Sequence, residues 1–177
     1  MENQFVTIKP TEITDNPFKL IGTDWMLITA GDIQSWNTMT ASWGGLGFLW
    51  NKNTVFCFVR PSRHTYSFME NSIKYTLSFF DASYRKILNF CGSHSGRDCD
   101  KAAETGLVPI AGEEGIVYFE QARLVLVCEK LYTQDFDPAR FLDPDLKAMN
   151  YPFEDYHRMY VGEIISCLKK EVQESNL

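Results

Sequence analysis

The segment "NTMTASWGGLGFLW", residues 37–50, decides how this chain is read. Asn37, Thr38, Thr40 and Ser42 place four short hydrogen-bonding side chains within six positions, none of them charged. Gly44, Gly45 and Gly47 follow, flanked by Trp43 and Trp50. The run has the period of neither an ordinary helix nor an ordinary strand; it suits a connection between two strands, or the start of one. Small polar residues in that setting aim hydroxyls and backbone N–H groups at an anion. A phosphate accepts such bonds through three oxygens, and each charge-assisted bond contributes about 1.5–3 kcal/mol. Trp43 can then cover a flat ring attached to that phosphate. The same residues equally suit a Ser/Thr-rich turn followed by a glycine-rich bend with core tryptophans.

The rest of the chain bounds these alternatives. Its 177 residues suit a single domain over 1–177. A domain near this size buries roughly 70% of its unfolded surface and needs no disulfide or metal to fold. Hydrophobic residues at 45% and charged residues at 23% are the balance of a soluble globular protein. Aromatic residues, at 14%, are numerous enough to fill a core or to stack on a ligand. A net charge of −6, from 17 basic and 23 acidic residues, leaves no basic stripe for DNA or RNA. The opening "MENQFVTIKPTEITDNPF" (1–18) lacks the apolar centre of a signal peptide, and no run approaches the ~20 apolar residues of a membrane helix. A cytoplasmic protein is expected. Cys57, Cys91, Cys99, Cys128 and Cys167 are odd in number and contain no CxxC, and the lone CxxH of Cys91 and His94 has no second pair. Reduced, mostly buried thiols are expected, and no metal site.

Strand signals dominate the pass along the chain. "DWMLITAGD" (24–32) is an apolar run closed by a Gly-Asp turn, and "TVFCFVRP" (54–61) is a β-branched and aromatic run stopped by Pro61. "IKYTLSFF" (73–80) alternates Ile73, Tyr75, Leu77 and Phe79 on one face. "GIVYFEQARLVLVCEKLYTQDF" (115–136) and "YHRMYVGEIISCLKK" (156–170) are longer stretches of strand character. Short helices are expected over 63–72, over 83–92 with Ser83 as N-cap and Gly92 as C-cap, and over 98–106. About six strands and two or three short helices result. The strands do not alternate with long helices, which argues against a parallel doubly wound sheet and for a mainly antiparallel barrel or sandwich.

Two further loops share the chemistry of residues 37–43. "FVRPSRHTY" (58–66) sets Arg60 at a strand end, with Arg63 and Thr65 in the turn beyond. "CGSHSGRDCDK" (91–101) follows a helix with Ser93, Ser95, Gly96, Arg97 and Lys101. Hydroxyls, glycines and cations recur in these loops, as one phosphorylated aromatic ligand held from several sides would need.

"NTMTASWGG", "FVRPSRHTYSFMENS", "YTLSFFD", "CGSHSGRDCDKAAETGL" and "HRMYVGEI" together resemble the flavoredoxin branch of the flavin reductase-like family, in order and spacing over roughly residues 20–165. The resemblance implies a mainly β, antiparallel FMN-binding split barrel of Greek-key type with short peripheral helices. It also implies a homodimer with FMN near the subunit interface, and hydride passing from NADH or NADPH to flavin. In such proteins the segment matching Asn37, Thr38, Met39, Thr40, Ala41 and Ser42 wraps the FMN phosphate and the ring edge, and Trp43 takes the place of an aromatic bordering the flavin. Arg60, Arg63 and Thr65 stand in a turn similar to a phosphate and ribityl contact. Ser93, Gly96, Arg97, Asp98 and Lys101 match the second phosphate-side loop. His157 heads a segment like the family's H-x-x-[FY]-V-G-E, whose histidine lies beside the nicotinamide and is here the candidate catalytic residue. Many reductases carry Gly-Asp-His there; this chain has Asp155-Tyr156-His157. The bland alternative for His157 is a strand histidine satisfied by a backbone carbonyl.

Hydride transfer between two stacked rings needs no nucleophile and no acid–base pair from the protein. None is evident: the chain has no GxSxG, no HExxH and no GxGxxG after a strand. Two alternatives to the reductase stay open. One is an FMN-carrying electron-transfer protein that serves a redox protein partner without using NAD(P)H. The other is a barrel that has kept the scaffold and binds no flavin.

Overall fold

β-Branched and aromatic runs build most of this chain into strands. The computed structural model describes residues 5–171, and in it ten strands and five short α-helices follow one another. β1 is Phe5–Ile8 and α1 is Pro17–Lys19, capped by the Asn16 side chain, which accepts from the Phe18 and Lys19 amides. β2 (Met26–Asp32) and β3 (Ser35–Ala41) form one hairpin; β4 (Gly44–Leu49) and β5 (Lys52–Val59) form another. Then come α2 (His64–Asn71), β6 (Lys74–Phe79), α3 (Arg85–Ser93), α4 (Lys101–Thr105), and the small hairpin of β7 (Pro109–Ala111) and β8 (Val117–Phe119). β9 (Leu124–Asp135), α5 (Pro144–Asn150) and β10 (Arg158–Lys170) follow as the last elements of the described residues. Among the described residues no helix is long and apolar enough to cross a membrane.

Eight strands make one antiparallel sheet in the order β3-β2-β6-β9-β10-β5-β4, with β1 also on β10. The two edge strands, β3 and β4, are joined only by Ser42 and Trp43. A two-residue link spans at most about 11 Å between its flanking Cα atoms. The sheet must therefore curl until its edges meet at that link, although no ladder joins them. The result is a split barrel, with the seam at residues 41–44. Alternate residues of the strands fill it: Met26, Ile28 and Ala30, Val55, Cys57 and Val59, Tyr75, Leu77 and Phe79, Leu126 and Cys128, Tyr160 and Ile164. A second cluster on the outer face, including Leu27, Leu88, Cys91, Phe119 and Val125, seats α3 and β8.

The mainly β, antiparallel architecture and the strands at 24–32, 54–61, 73–80 and 156–170 agree with the sequence. The strand count does not: the short β1 and β7 carry no strand signal, and two longer segments divide differently. Residues 115–136 are interrupted by a turn at 120–123, giving β8 and β9. The segment 37–50, which lacks strand periodicity, is nevertheless the end of β3 and all of β4. In β3 the strand is concealed by polar residues satisfied inside the barrel wall: Thr38 and Thr29 share a buried hydroxyl–hydroxyl bond of 2.8 Å. In β4 one of the three glycines is forced by crowding, since a Cβ on Gly44 would lie 2.6 Å from the Phe56 carbonyl oxygen. The β4–β5 turn is made by Trp50 and Asn51, both at positive φ, a hairpin with none of the usual Asn-Gly signal. Ser83 does not cap α3 and Gly92 does not end it. Ser83 lies in a preceding 3-10 turn, and the helix runs on to Ser93, with Gly92 packed closely over Thr40. Ile73 precedes β6 and is 69% exposed. The five thiols form no disulfide; four are buried and Cys99 is half-buried.

Gly162 shows how tightly the barrel is filled. It lies in mid-β10, paired with Val55 and Lys130, and a Cβ there would collide with the hydroxyl of buried Tyr75. Gly162→Ala is expected to cost about 1–3 kcal/mol by overpacking. The measure is a lower denaturant midpoint at unchanged slope; an unshifted midpoint would contradict this packing.

Candidate functional site

β5 ends at Val59 because Pro61 cannot continue a ladder, and the chain turns through Arg60–Arg63 into α2. Arg63 occupies the N-cap of α2 in extended conformation, and no side chain caps the helix. The Tyr66 amide bonds back to the Arg63 carbonyl, which leaves those of His64 and Thr65 to solvent or a ligand. They border a cavity of ≈190 Å³, closed on its other sides by Asn37 of β3 and by the loop from Ser93 to Lys101.

Lys101 gives this cavity its character. It begins α4, is only 5% exposed, and donates from Nζ to the carbonyls of Thr38 (2.8 Å) and Cys91 (2.9 Å). An ammonium has three donors, so one remains. No carboxylate pairs with it among the described residues. Burial, opposed by Cys91 and aided by Arg63, brings its pKa down to about 8. Arg63 lines the same cavity, makes no ion pair among the described residues, and has its own pKa lowered by burial and by Arg60. Arg97 also lines it and donates from Nη1 to the Ser62 carbonyl at 3.4 Å. Three cations converge on this cavity without a carboxylate lining it, an arrangement suited to an anion. Gly96 lets the loop close: a Cβ there would collide with the Asn37 side chain, whose amide nitrogen donates to Thr65 at 2.7 Å.

A second cavity, ≈220 Å³, adjoins through Arg63 and follows the barrel seam: Met39, Thr40, Ala41, Ser42 and Trp43 on one side, Phe58, Arg60 and His157 on the other. Trp43 is 44% exposed, with its ring centroid 5.1 Å from that of His157. His157 is buried, and its Nδ1 lies 2.8 Å from the Tyr151 hydroxyl. Burial brings its pKa down to about 4; Arg60 adds to this and Asp155 opposes it. The ring is therefore neutral at physiological pH. Arg60 donates to the Asn150 carbonyl (2.8 Å) and sits over the Tyr151 ring, fixing the segment that carries His157.

Of the residues singled out in the sequence, Asn37, Arg63, Thr65, Ser93, Gly96, Arg97 and Lys101 meet at the cationic end, and Met39 to Trp43, Arg60, Arg63 and His157 at the other. Thr38 lines neither: its hydroxyl bonds to Thr29 and to the Ile28 carbonyl, and only its own carbonyl reaches the site, through Lys101. Thr40 and Ser93 line their cavities but give their hydroxyl protons to helix carbonyls, Leu88 for the one and Asn89 for the other. Asp98 borders an outer cavity of ≈570 Å³ on the far side of the loop. Ser95, named with its loop, lines the cationic cavity too, while His64, Ser62 and Phe58 join the site unforeseen, although each stands within a segment already read as ligand-facing. Tyr151 had no sequence signal at all. His157 is satisfied by its hydroxyl and not by a backbone carbonyl.

The site thus offers an anion cradle at one end and a flat, aromatic-edged slot at the other. Residues 18–177 match the family model described as "Flavin reductase like domain". No curated protein matches the chain by sequence. Among solved structures, the FMN-binding domain of a flavin reductase-like enzyme from Shewanella baltica superposes with a TM-score of 0.67 at 13% identity, covering 96% of this chain and 79% of that one. A flavoredoxin from Methanosarcina acetivorans gives 0.66 at 20% identity, covering 94% and 75%. An NADH:FAD oxidoreductase from Streptomyces globisporus gives 0.62 at 16% identity, covering 92% and 86%. These likenesses establish the shared fold.

The depressed pKa of His157 has a consequence for stability. As pH falls below its ordinary value of 6.5, the unfolded chain protonates this histidine while the folded chain does not until about 4. Within that window the unfolded state binds more protons, so acid destabilises the fold. His157→Gln removes the effect. Wild type is expected to lose more stability than the variant between pH 6.5 and 4 in urea titrations, and parallel curves would show that the ring is not held neutral.

Proposed function

The chain belongs to the flavin reductase-like family, and on that footing we propose that it is an oxidoreductase that binds FMN and accepts hydride from NADH or NADPH. The observation that carries the reading is the Lys101 ammonium, buried beside Arg63 and Arg97 with a donor to spare and no carboxylate partner. A dianionic phosphate fits that cradle and the uncapped first turn of α2. In this reading Lys101, Arg97, Arg63 and the Asn37–Thr65 pair hold the phosphate, while Met39 to Trp43 border the ring system along the seam.

The flavin, when bound, supplies the hydride-accepting ring. The chain's own residues orient and exclude. Trp43 and Phe58 wall the slot and keep water from the ring edge. His157, neutral, offers a hydrogen bond and not a charge, so it serves to position a donor ring rather than to move a proton. Arg60 and Tyr151 hold His157 in place. A second reading, an FMN-carrying electron-transfer protein served by a protein partner, is favoured by the exposure of Trp43 at the mouth of the slot. The proposal includes a homodimer that covers exposed apolar side chains such as Phe48 and Trp50, 70% and 55% exposed, with more than about 2,000 Å² buried in total.

Arg97→Ala is expected to weaken FMN more than tenfold and riboflavin much less, since one charge-assisted contact is worth about 1.5–3 kcal/mol. Equal losses in a binding titration would place Arg97 away from the phosphate. Rapid mixing of the FMN-loaded protein with NADH and with NADPH tests the donor: bleaching of the flavin band with either is the expected result, and negligible bleaching with both moves the assignment to the electron carrier. Light scattering checks assembly, and a stable monomer at micromolar concentration would rule out the obligate dimer.

A further inference from the structure

The Tyr151–His157 contact fixes more than the position of a ring. Tyr151 is 5% exposed, and among the described residues its hydroxyl bonds to His157 Nδ1 alone, at 2.8 Å. A phenol has one proton to give, and a neutral imidazole has one N–H and one lone pair. If the phenol donates to Nδ1, both groups are satisfied and the imidazole proton sits on Nε2. If Nδ1 donates instead, the phenol proton is buried with no acceptor, the costlier arrangement. The Arg60 guanidinium, 5.0 Å over the Tyr151 ring, biases the phenol the same way, because a nearby cation makes its hydroxyl a stronger donor and a weaker acceptor. The charged imidazolium is disfavoured by burial and by Arg60; the opposing carboxylate, Asp155, is engaged by the Ser62 hydroxyl at 2.5 Å. That leaves Nε2. It has no protein partner among the described residues, on a side chain that is 8% exposed and lines the slot beside Trp43.

We infer that Tyr151 is a positioning residue that holds His157 as its Nε2–H tautomer, so that the slot presents a single neutral N–H donor to an uncharged acceptor of a planar ligand, a ring carbonyl or a carboxamide oxygen. The inference deepens the flavin reading and rests on it only for the molecule to which that acceptor belongs.

Long-range proton–nitrogen correlation spectra of uniformly ¹⁵N-labelled protein at neutral pH test it directly. The chain has 3 histidines, so His157→Gln assigns the signal by its disappearance. His157 is expected to show a protonated Nε2 and an unprotonated, hydrogen-bonded Nδ1. In Tyr151→Phe, which removes only the hydroxyl, the two nitrogens should move toward averaged values as the tautomers mix. A protonated Nδ1 in the wild type, or an unaltered pattern in Tyr151→Phe, overturns the inference; the wild-type spectrum decides alone if the variant fails to fold. As a second readout, Tyr151→Phe should slow reduction of bound FMN by NAD(P)H about tenfold while FMN affinity stays within about twofold; an unchanged rate counts against the positioning role. The two readings fail separately. A flavoprotein whose His157 carries its proton on Nδ1 refutes the tautomer alone, and an Nε2–H protein that binds no FMN refutes the flavin assignment alone.

Discussion

A lysine ammonium held between two carbonyls ties the parts of this site together. Lys101 starts α4, yet its bonds run to Thr38 in the barrel wall and to Cys91 near the end of α3. The loop between those two helices carries Ser95, Gly96 and Arg97, so its course over β3 depends on where Lys101 is anchored. Burying a cation without a counter-charge is costly, and proteins tolerate it where the charge is used. The neighbouring departures from ordinary packing accompany it. Gly96 touches Asn37 where any side chain would collide, and α2 begins without a cap.

The seam explains why the two halves of the site adjoin. β3 and β4 are the ends of the sheet, and two residues connect them. A curled sheet that fails to zip leaves its edge backbone and wall side chains open to a ligand. Such an edge invites association or aggregation unless something covers it. Trp43 stands on the seam itself, and the loop bearing Lys101 and Arg97 lies over the β3 side. The barrel's weakest line and its candidate binding surface therefore coincide.

How much of this was legible beforehand follows residue by residue. The apolar strands announced themselves, because half-buried strands must alternate or run apolar. The cationic loops were legible because hydroxyl, glycine and arginine residues recur in each. β3 was not, since Thr29 and Thr38 satisfy one another inside the wall and so look like loop residues. β4 was not, because its glycines read as a bend, whereas Gly44 answers to crowding by the Phe56 carbonyl within a strand. Thr38 illustrates the limit on reading sites: in a strand, alternate neighbours face opposite ways, and no composition rule says which threonine faces the ligand. Tyr151 lies beyond sequence reasoning, since its bond to His157 depends on how a whole inter-strand segment folds back and is pinned by Arg60.

The position of β10 constrains the order in which the molecule can assemble. It is the sole strand bonded to both β9 and β5, and β1 pairs with nothing else. A nascent chain that ends before residue 158 can pair the strands of the main sheet only as β3-β2-β6-β9 and β5-β4, two pieces tied by the Ser42–Trp43 link but by no ladder. The seam slot takes walls from both pieces, Met39 to Ala41 from one and Phe58 from the other. Its geometry is therefore created only once β10 is in place between them. Contacts of such long sequence separation make for slow folding, with β5 and β9 presenting open edges meanwhile. Pulse-labelled hydrogen exchange should show protection of those two strands rising together, in step with β10.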